Sequence, residues 1–171
     1  METDPRKTST PLSDDESAVR SLYQQMLNSW NRQDAAGFAA LCEPDGHLVG
    51  FDGSQHDGRV QIESQLGQIF SEHQTTAYVA KVREVTFLAP HVAVLRAVAG
   101  MVPPGQSDID PAVNAVQTLV ATRHRGQWRT FLFQNTPAAF HRRPELSKQL
   151  TEELRGVLRA APSGQITKNQ Q

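Results

Sequence analysis

Two amide side chains stand among large apolar ones near the end of the sequence, in Phe131-Leu132-Phe133-Gln134-Asn135, and Gln117 stands in the run before it. An amide surrounded by such residues is costly to bury unpaired, so it must meet backbone, water or a ligand. The intervening His124-Arg125-Gly126-Gln127 has the length and composition of a hairpin turn. A turn centred between Arg125 and Gly126 sets Gln117 opposite Gln134 and Leu119 opposite Leu132; a one-residue slip makes Asn135 the partner of Gln117 instead. Gln117 and Asn135 are therefore either ligand contacts or an amide pair that holds the register. Arg96, in the middle of an apolar run, poses a related question. It pairs with a carboxylate such as Asp45 or Asp52, the favoured reading, or presents a cation to a cavity.

Candidates for proton transfer lie around the short run His47 to Phe51. Asp45, Asp52 and His56, which flank that run, are the candidate general bases. The six histidines show neither the i, i+4 spacing of a helical zinc pair nor a clustered carboxylate, so no metal is expected. Gly100, Gly105 and Gly126 are isolated and lack the spacing of a phosphate-cradling loop, so no nicotinamide or flavin cofactor is expected. The single cysteine, Cys42, beside Leu41 on an apolar face, reads as a packed thiol. Tyr23, Trp30 and Phe51 fall on predicted core faces; Tyr23 and Trp30 also carry polar tips able to bond a ligand oxygen.

These residues need a framework, and the chain is long enough for one compact domain: 171 residues, 38% hydrophobic and 20% charged. Its 17 basic and 18 acidic side chains leave a net charge of −1, which creates no field for nucleic acid or an anionic membrane. There is no apolar run near the ~20 residues of a spanning helix, and the opening residues lack a signal peptide's apolar middle. With one cysteine, this fits a reducing cytoplasmic location.

Residues 1–12 read as a disordered arm, 13–160 as the folded domain and 161–171 as a disordered tail. Ser13 and Glu16 form a capping-box pair, after which Val19, Leu22, Tyr23, Met26, Leu27 and Trp30 make one helical stripe. Asp34 caps a second short helix that stops at the turn formers Pro44-Asp45-Gly46; His47 to Phe51 follows as a short strand. Ile62, Leu66, Ile69 and Phe70 give a third helix from Asp57 to Glu72. Four β-rich runs come next: Thr75–Leu88, His91–Val102, Ala115–Arg123 and Trp128–Thr136. The polar segment Gln106–Pro111 reads as a surface loop, and Pro144 opens a last helix with Leu146, Leu150, Leu154 and Val157 on one face.

That order is expected of an α+β domain with helices on one face of a curved antiparallel sheet. On the run His91–Val102, Val92, Val94 and Val98 face one side while Ala93, Leu95, Ala97 and Ala99 face the other. Both faces are apolar enough to need cover, which predicts a homodimer through the outer sheet face.

Several ordered strings resemble the SgcJ/EcaC group of the nuclear transport factor 2-like, SnoaL-like proteins. They are Trp30 with Asp34 and Phe38, Asp57-Gly58-Arg59 with Ile62, VAVLRAVAGMVPPG, the segment Asn114 to Val120, and Trp128-Arg129 leading into FQNTP. The resemblance implies a conical cavity within a curved sheet wrapped by three N-terminal helices, usually in a dimer. The scaffold hosts isomerases, dehydratases, cyclases and non-catalytic binders. Compared with ketosteroid isomerase, Tyr23 can stand for the helix-one donor and Asp45 or Asp52 for the base, but the strand His91–Val102 offers Arg96 and no acid. The expectation is a pocket for an apolar, oxygenated, polyketide-like small molecule, acting in cofactor-independent isomerase or cyclase chemistry or as an accessory biosynthetic protein. The rival is a non-catalytic dimeric interaction module whose cavity is filled by its own side chains.

Overall fold

A computed structural model describes residues 13–162. The predicted arm, and all but the first two residues of the predicted tail, lie outside the described residues. Helix α1 (Asp14–Asn31) starts where Ser13 Oγ accepts the backbone N–H of Glu16 at 3.1 Å. Glu16 completes only half of a capping box, because its carboxylate turns to Arg20 at 3.0 Å. Asp34 caps the short helix α2 (Ala35–Ala40) by accepting from the Gly37 N–H at 2.8 Å.

Strand β1 (Cys42–Val49) begins five residues before the expected run, and Pro44-Asp45-Gly46, read from sequence as a turn, lies within it. An irregularity between Cys42 and His47 accommodates these turn-forming residues without ending the strand. The three-residue strand β2 (Gln55–Asp57) pairs back on β1, and helix α3 (Arg59–Glu72) follows. Asp57 therefore belongs to β2, not to the helix. Gly58 makes the corner at φ +87°, a conformation that β-carbon sterics disfavour in other residues.

The long strands β3 (Ala77–Ala89), β4 (Val92–Val102), β5 (Ala115–His124) and β6 (Gln127–Pro137) form consecutive antiparallel pairs. Strand β1 joins β6 in parallel, giving one sheet in the order β2-β1-β6-β5-β4-β3. Alternation along β4 divides as expected: Ala93, Leu95, Ala97 and Ala99 are buried beneath the helices, while Arg96 is exposed on the opposite face.

Helix α4 (Pro144–Ala160) covers part of that outer face. Leu150 and Leu154 pack with Val79, Val98 and Val102 in a second hydrophobic cluster. Ile109 joins them at 3% exposure, so the segment read as a surface loop contributes a core side chain. Gly100 lets these parts approach: a β-carbon there would lie 3.1 Å from Ile109 and Leu154. Glu153 ties α4 to β3 through Arg83 at 2.5 Å and Lys81 at 3.0 Å. Among the described residues, no helix is long and apolar enough to cross a membrane.

Candidate functional site

The inner face of the sheet and helices α1, α2 and α3 enclose a cavity of about 430 Å³. Leu27, Phe38, Leu66 and Ile69 supply apolar wall from the helices, and Leu48, Met101 and Phe133 from the strands. The volume falls within the range of small-molecule pockets. A filled interior, the expectation of the interaction-module reading, is not what these residues build.

Polar groups meet the cavity in two places. At its rim, the β1–β2 turn presents the exposed Asp52 and Ser54, and strand β2 the half-buried His56. Ser54 donates its backbone N–H to Asp52 Oδ1 at 2.9 Å and its hydroxyl to Oδ2 at 2.8 Å. These two bonds, with a smaller pull from His56, hold the Asp52 carboxyl below the usual carboxylate range. Asp52 is therefore ionised at neutral pH and is a weak proton acceptor there.

At the buried end, Tyr78 and Asn135 line the cavity at 8% and 5% exposure. They end a hydrogen-bond chain that begins behind the wall. Tyr23 donates its hydroxyl to Gln117 Oε1 at 2.5 Å, and Gln117 Nε2 donates to Asn135 Oδ1 at 3.2 Å. Asn135 Nδ2 then donates to the Tyr78 hydroxyl oxygen at 2.8 Å. Burial raises the pKa of Tyr23 and of Tyr78, and the Tyr78 hydroxyl raises that of Tyr23 further. Both phenols consequently stay protonated at neutral pH and act as donors.

The register places Gln117 opposite Asn135, not Gln134, and Leu119 opposite Phe133, not Leu132. The predicted turn is correct at its own end, where His124 pairs Gln127 and Arg123 pairs Trp128. A register shift between Val120 and Ala121 leaves Phe131 as the extra residue and supplies the one-residue slip. Gln134 is thereby exposed and Asn135 buried.

Trp30 and Phe51 reach the cavity, and the Trp30 indole donates to the Thr76 carbonyl at 2.9 Å. Tyr23 and Gln117 are buried behind the wall and do not line it. Arg96 is a correction: it pairs with Glu84 at 3.2 Å on the outer face, because its position in β4 points away from the helices. Neither Asp45 nor Asp52 is its partner. Asp45 is a second correction, lying exposed in the irregular stretch of β1 and not among the cavity residues.

Tyr78 was missed from sequence. Its signal was available, because Tyr78, Ala80 and Val82 share the face of β3 that pairs with the buried Ala97 and Ala99 of β4. Cys42 is 1% exposed, and burial pushes its thiol up to about 12, which makes it an unreactive packing group. No group of three or more metal-ligating side chains occurs among the described residues.

A curved α+β sheet closed by helices around an apolar hollow defines a nuclear transport factor 2-like, or cystatin-like, pocket fold. The chain belongs to the SnoaL-like domain family, which matches residues 19–132. A cystatin-like domain of unknown function from Nostoc punctiforme is similar at 24% identity, with a TM-score of 0.71 over 88% of this chain and 100% of that one. A ketosteroid isomerase-like protein from Erwinia carotovora atroseptica is 15% identical, with a TM-score of 0.59 over 75% of this chain and 99% of that one. An uncharacterised cystatin-like protein from Caulobacter vibrioides is 24% identical, with a TM-score of 0.59 over 80% of this chain and 96% of that one. At these identities the likeness is one of fold. No curated protein matches the chain.

Proposed function

We propose that the protein binds an apolar, oxygen-bearing small molecule of polyketide-like character in the cavity between the helices and the sheet. The observation that carries this reading is the 430 Å³ hollow with apolar walls and buried polar groups at one end. The fold shared with the ketosteroid isomerase-like protein supports an isomerase- or cyclase-like or accessory biosynthetic role. Asp52 and His56 are the base candidates at the rim. Trp128-Arg129 and the FQNTP string support the narrower SgcJ/EcaC placement and its natural-product setting. The single cysteine and near-neutral charge support a cytoplasmic location.

The test is native mass spectrometry of protein purified from its host, alongside Ile69→Trp. Ile69 is a half-buried cavity residue, so an indole there projects into the hollow without overfilling the sealed core. A metabolite that travels with the wild type and is lost from a folded Ile69→Trp variant supports the reading. Retention of the same metabolite by the variant places it elsewhere and overturns the assignment.

The second proposal is a homodimer through the part of the outer sheet face that α4 leaves open. Val94, Val120 and Leu132 are paired in register across β4, β5 and β6, forming an apolar row on that face. Val116, 42% exposed, lies nearby on β5. Light scattering should give twice the 18.9 kDa chain mass, and a monomer at micromolar concentration would overturn it.

A further inference from the structure

Charge reaches the cavity only at its mouth, and it is unbalanced there. Apart from the Tyr78 phenol, Asp52 and His56 are the only acidic or basic side chains among the lining residues, and none is lysine or arginine. The β1–β2 turn holds the Asp52 carboxylate in place. Gly50 donates its N–H to the Ser54 carbonyl at 2.8 Å, and Gly53 donates to the Gly50 carbonyl at 2.9 Å. Within that closed turn, Ser54 fills one acceptor site on each Asp52 oxygen. A carboxylate offers about four such sites, so about two stay free. A β-carbon on Gly50 would lie 3.2 Å from Asp52 Oδ1, which sets the carboxylate against a residue of the cavity wall. The half-buried Phe51, next to Asp52 in the chain, lines the hollow as well.

We propose that Asp52 is a specificity-determining residue that selects ligands carrying a protonated amine at the end left in the mouth, and rejects those carrying a carboxylate or phosphate there. The apolar walls take the hydrocarbon body, and the ammonium group meets the free acceptor sites of an anion already oriented by Ser54. That orientation spares the pair part of the entropy a loose surface carboxylate loses on pairing. Phe51 adds an aromatic face beside the same cation. An acid in that place meets like charge, with no arginine or lysine on the wall to offset it. The two Ser54 bonds that make Asp52 a weak base also keep it an anion, so the residue is better suited to ligand choice than to proton transfer.

This inference rests on the pocket reading, and three probes that share one bicyclic frame separate the two: tetralin, 2-aminotetralin and tetralin-2-carboxylate. Calorimetry at about pH 8, where a free imidazole is neutral and an alkylamine is charged, compares wild type with Asp52→Asn. Asparagine keeps an acceptor for the Ser54 N–H and removes the charge. Wild type should bind the amine about ten-fold more tightly than the acid, the sum of an attraction and a repulsion each of the size measured for exposed ion pairs. Asp52→Asn should bring the two within about two-fold and leave tetralin within about two-fold of its wild-type affinity. High salt should shrink the wild-type preference in the same direction, a readout that needs no variant. If tetralin binds and the preference for amine over acid is absent from wild type, insensitive to salt, or kept in Asp52→Asn, the assignment of Asp52 is overturned while the pocket stands. If no probe binds the wild type, the pocket reading fails and takes this inference with it.

Discussion

Gln117→Leu is expected to destabilise the fold by about 2–4 kcal/mol, although leucine nearly matches the volume of glutamine. Gln117 is 0% exposed and is the only described link between Tyr23 and Asn135. Leucine removes an acceptor from the Tyr23 hydroxyl, which is too deeply buried to turn to solvent, and a donor from Asn135 Oδ1. The first loss carries the larger penalty, because Asn135 can still meet water or ligand in the cavity and Tyr23 cannot. Urea unfolding measures the effect. A double-mutant cycle with Tyr23→Phe locates it: removing the orphaned hydroxyl should recover part of the loss in the Gln117→Leu background, while Tyr23→Phe alone destabilises. Additive losses would show that the link between Tyr23 and Gln117 contributes little.

Leu154→Ala is expected to cost about 2–5 kcal/mol and to loosen α4 selectively. Leu154 is 0% exposed and meets Ile109 and Gly100 at the centre of the outer cluster, so truncation opens a cavity where the helix has its deepest contact. Amide hydrogen exchange should accelerate along Pro144–Ala160 more than in β4 and β5, because the cluster beneath the helices does not include Leu154. Uniform loss of protection would instead make α4 part of one cooperative unit with the sheet. The same docking should weaken in acid. Hydrogen bonds from Arg83, then Lys81, lower the Glu153 carboxyl from 4.5 to about 2. A depressed carboxyl contributes stability that is present above its unfolded pKa and lost as pH falls through the folded value, so the window is pH 4.5 to 2. Glu153→Gln should reduce that pH dependence of α4 protection, leaving the part held by Asp108, whose carboxyl is lowered by hydrogen bonds from Arg155 of α4.

The likeness between Gln117 and Asn135 as sequence features concealed different positions. Both are amides in β-rich runs beside bulky apolar residues, and both were candidate ligand contacts. Only Asn135 reaches the cavity, while Gln117 holds it in place from behind. Arg96 shows the converse: a charged residue in an apolar strand draws the eye toward a buried role, yet alternation alone places it with Val94 and Val98 on the outer face, beside Glu84.

What the sequence determined by itself was local. The stripe and cap of α1, the cap of α2, the runs of β3 to β6, the turn at Arg125-Gly126 and the proline-led start of α4 each arise from residues within a few positions of one another. Tertiary structure decided which side chains met. The extra residue at Phe131 lies where β6 is held by two neighbours at once, antiparallel to β5 and parallel to β1, with Phe131 against the His47 ring at 5.4 Å. A strand pattern of period two carries no record of such a bulge, yet one extra residue exchanges inside for outside along everything beyond it. The chain from Tyr23 to Tyr78 spans four elements of the fold, and its direction depends on which end is sealed, a property that belongs to the closed cavity and to no segment alone.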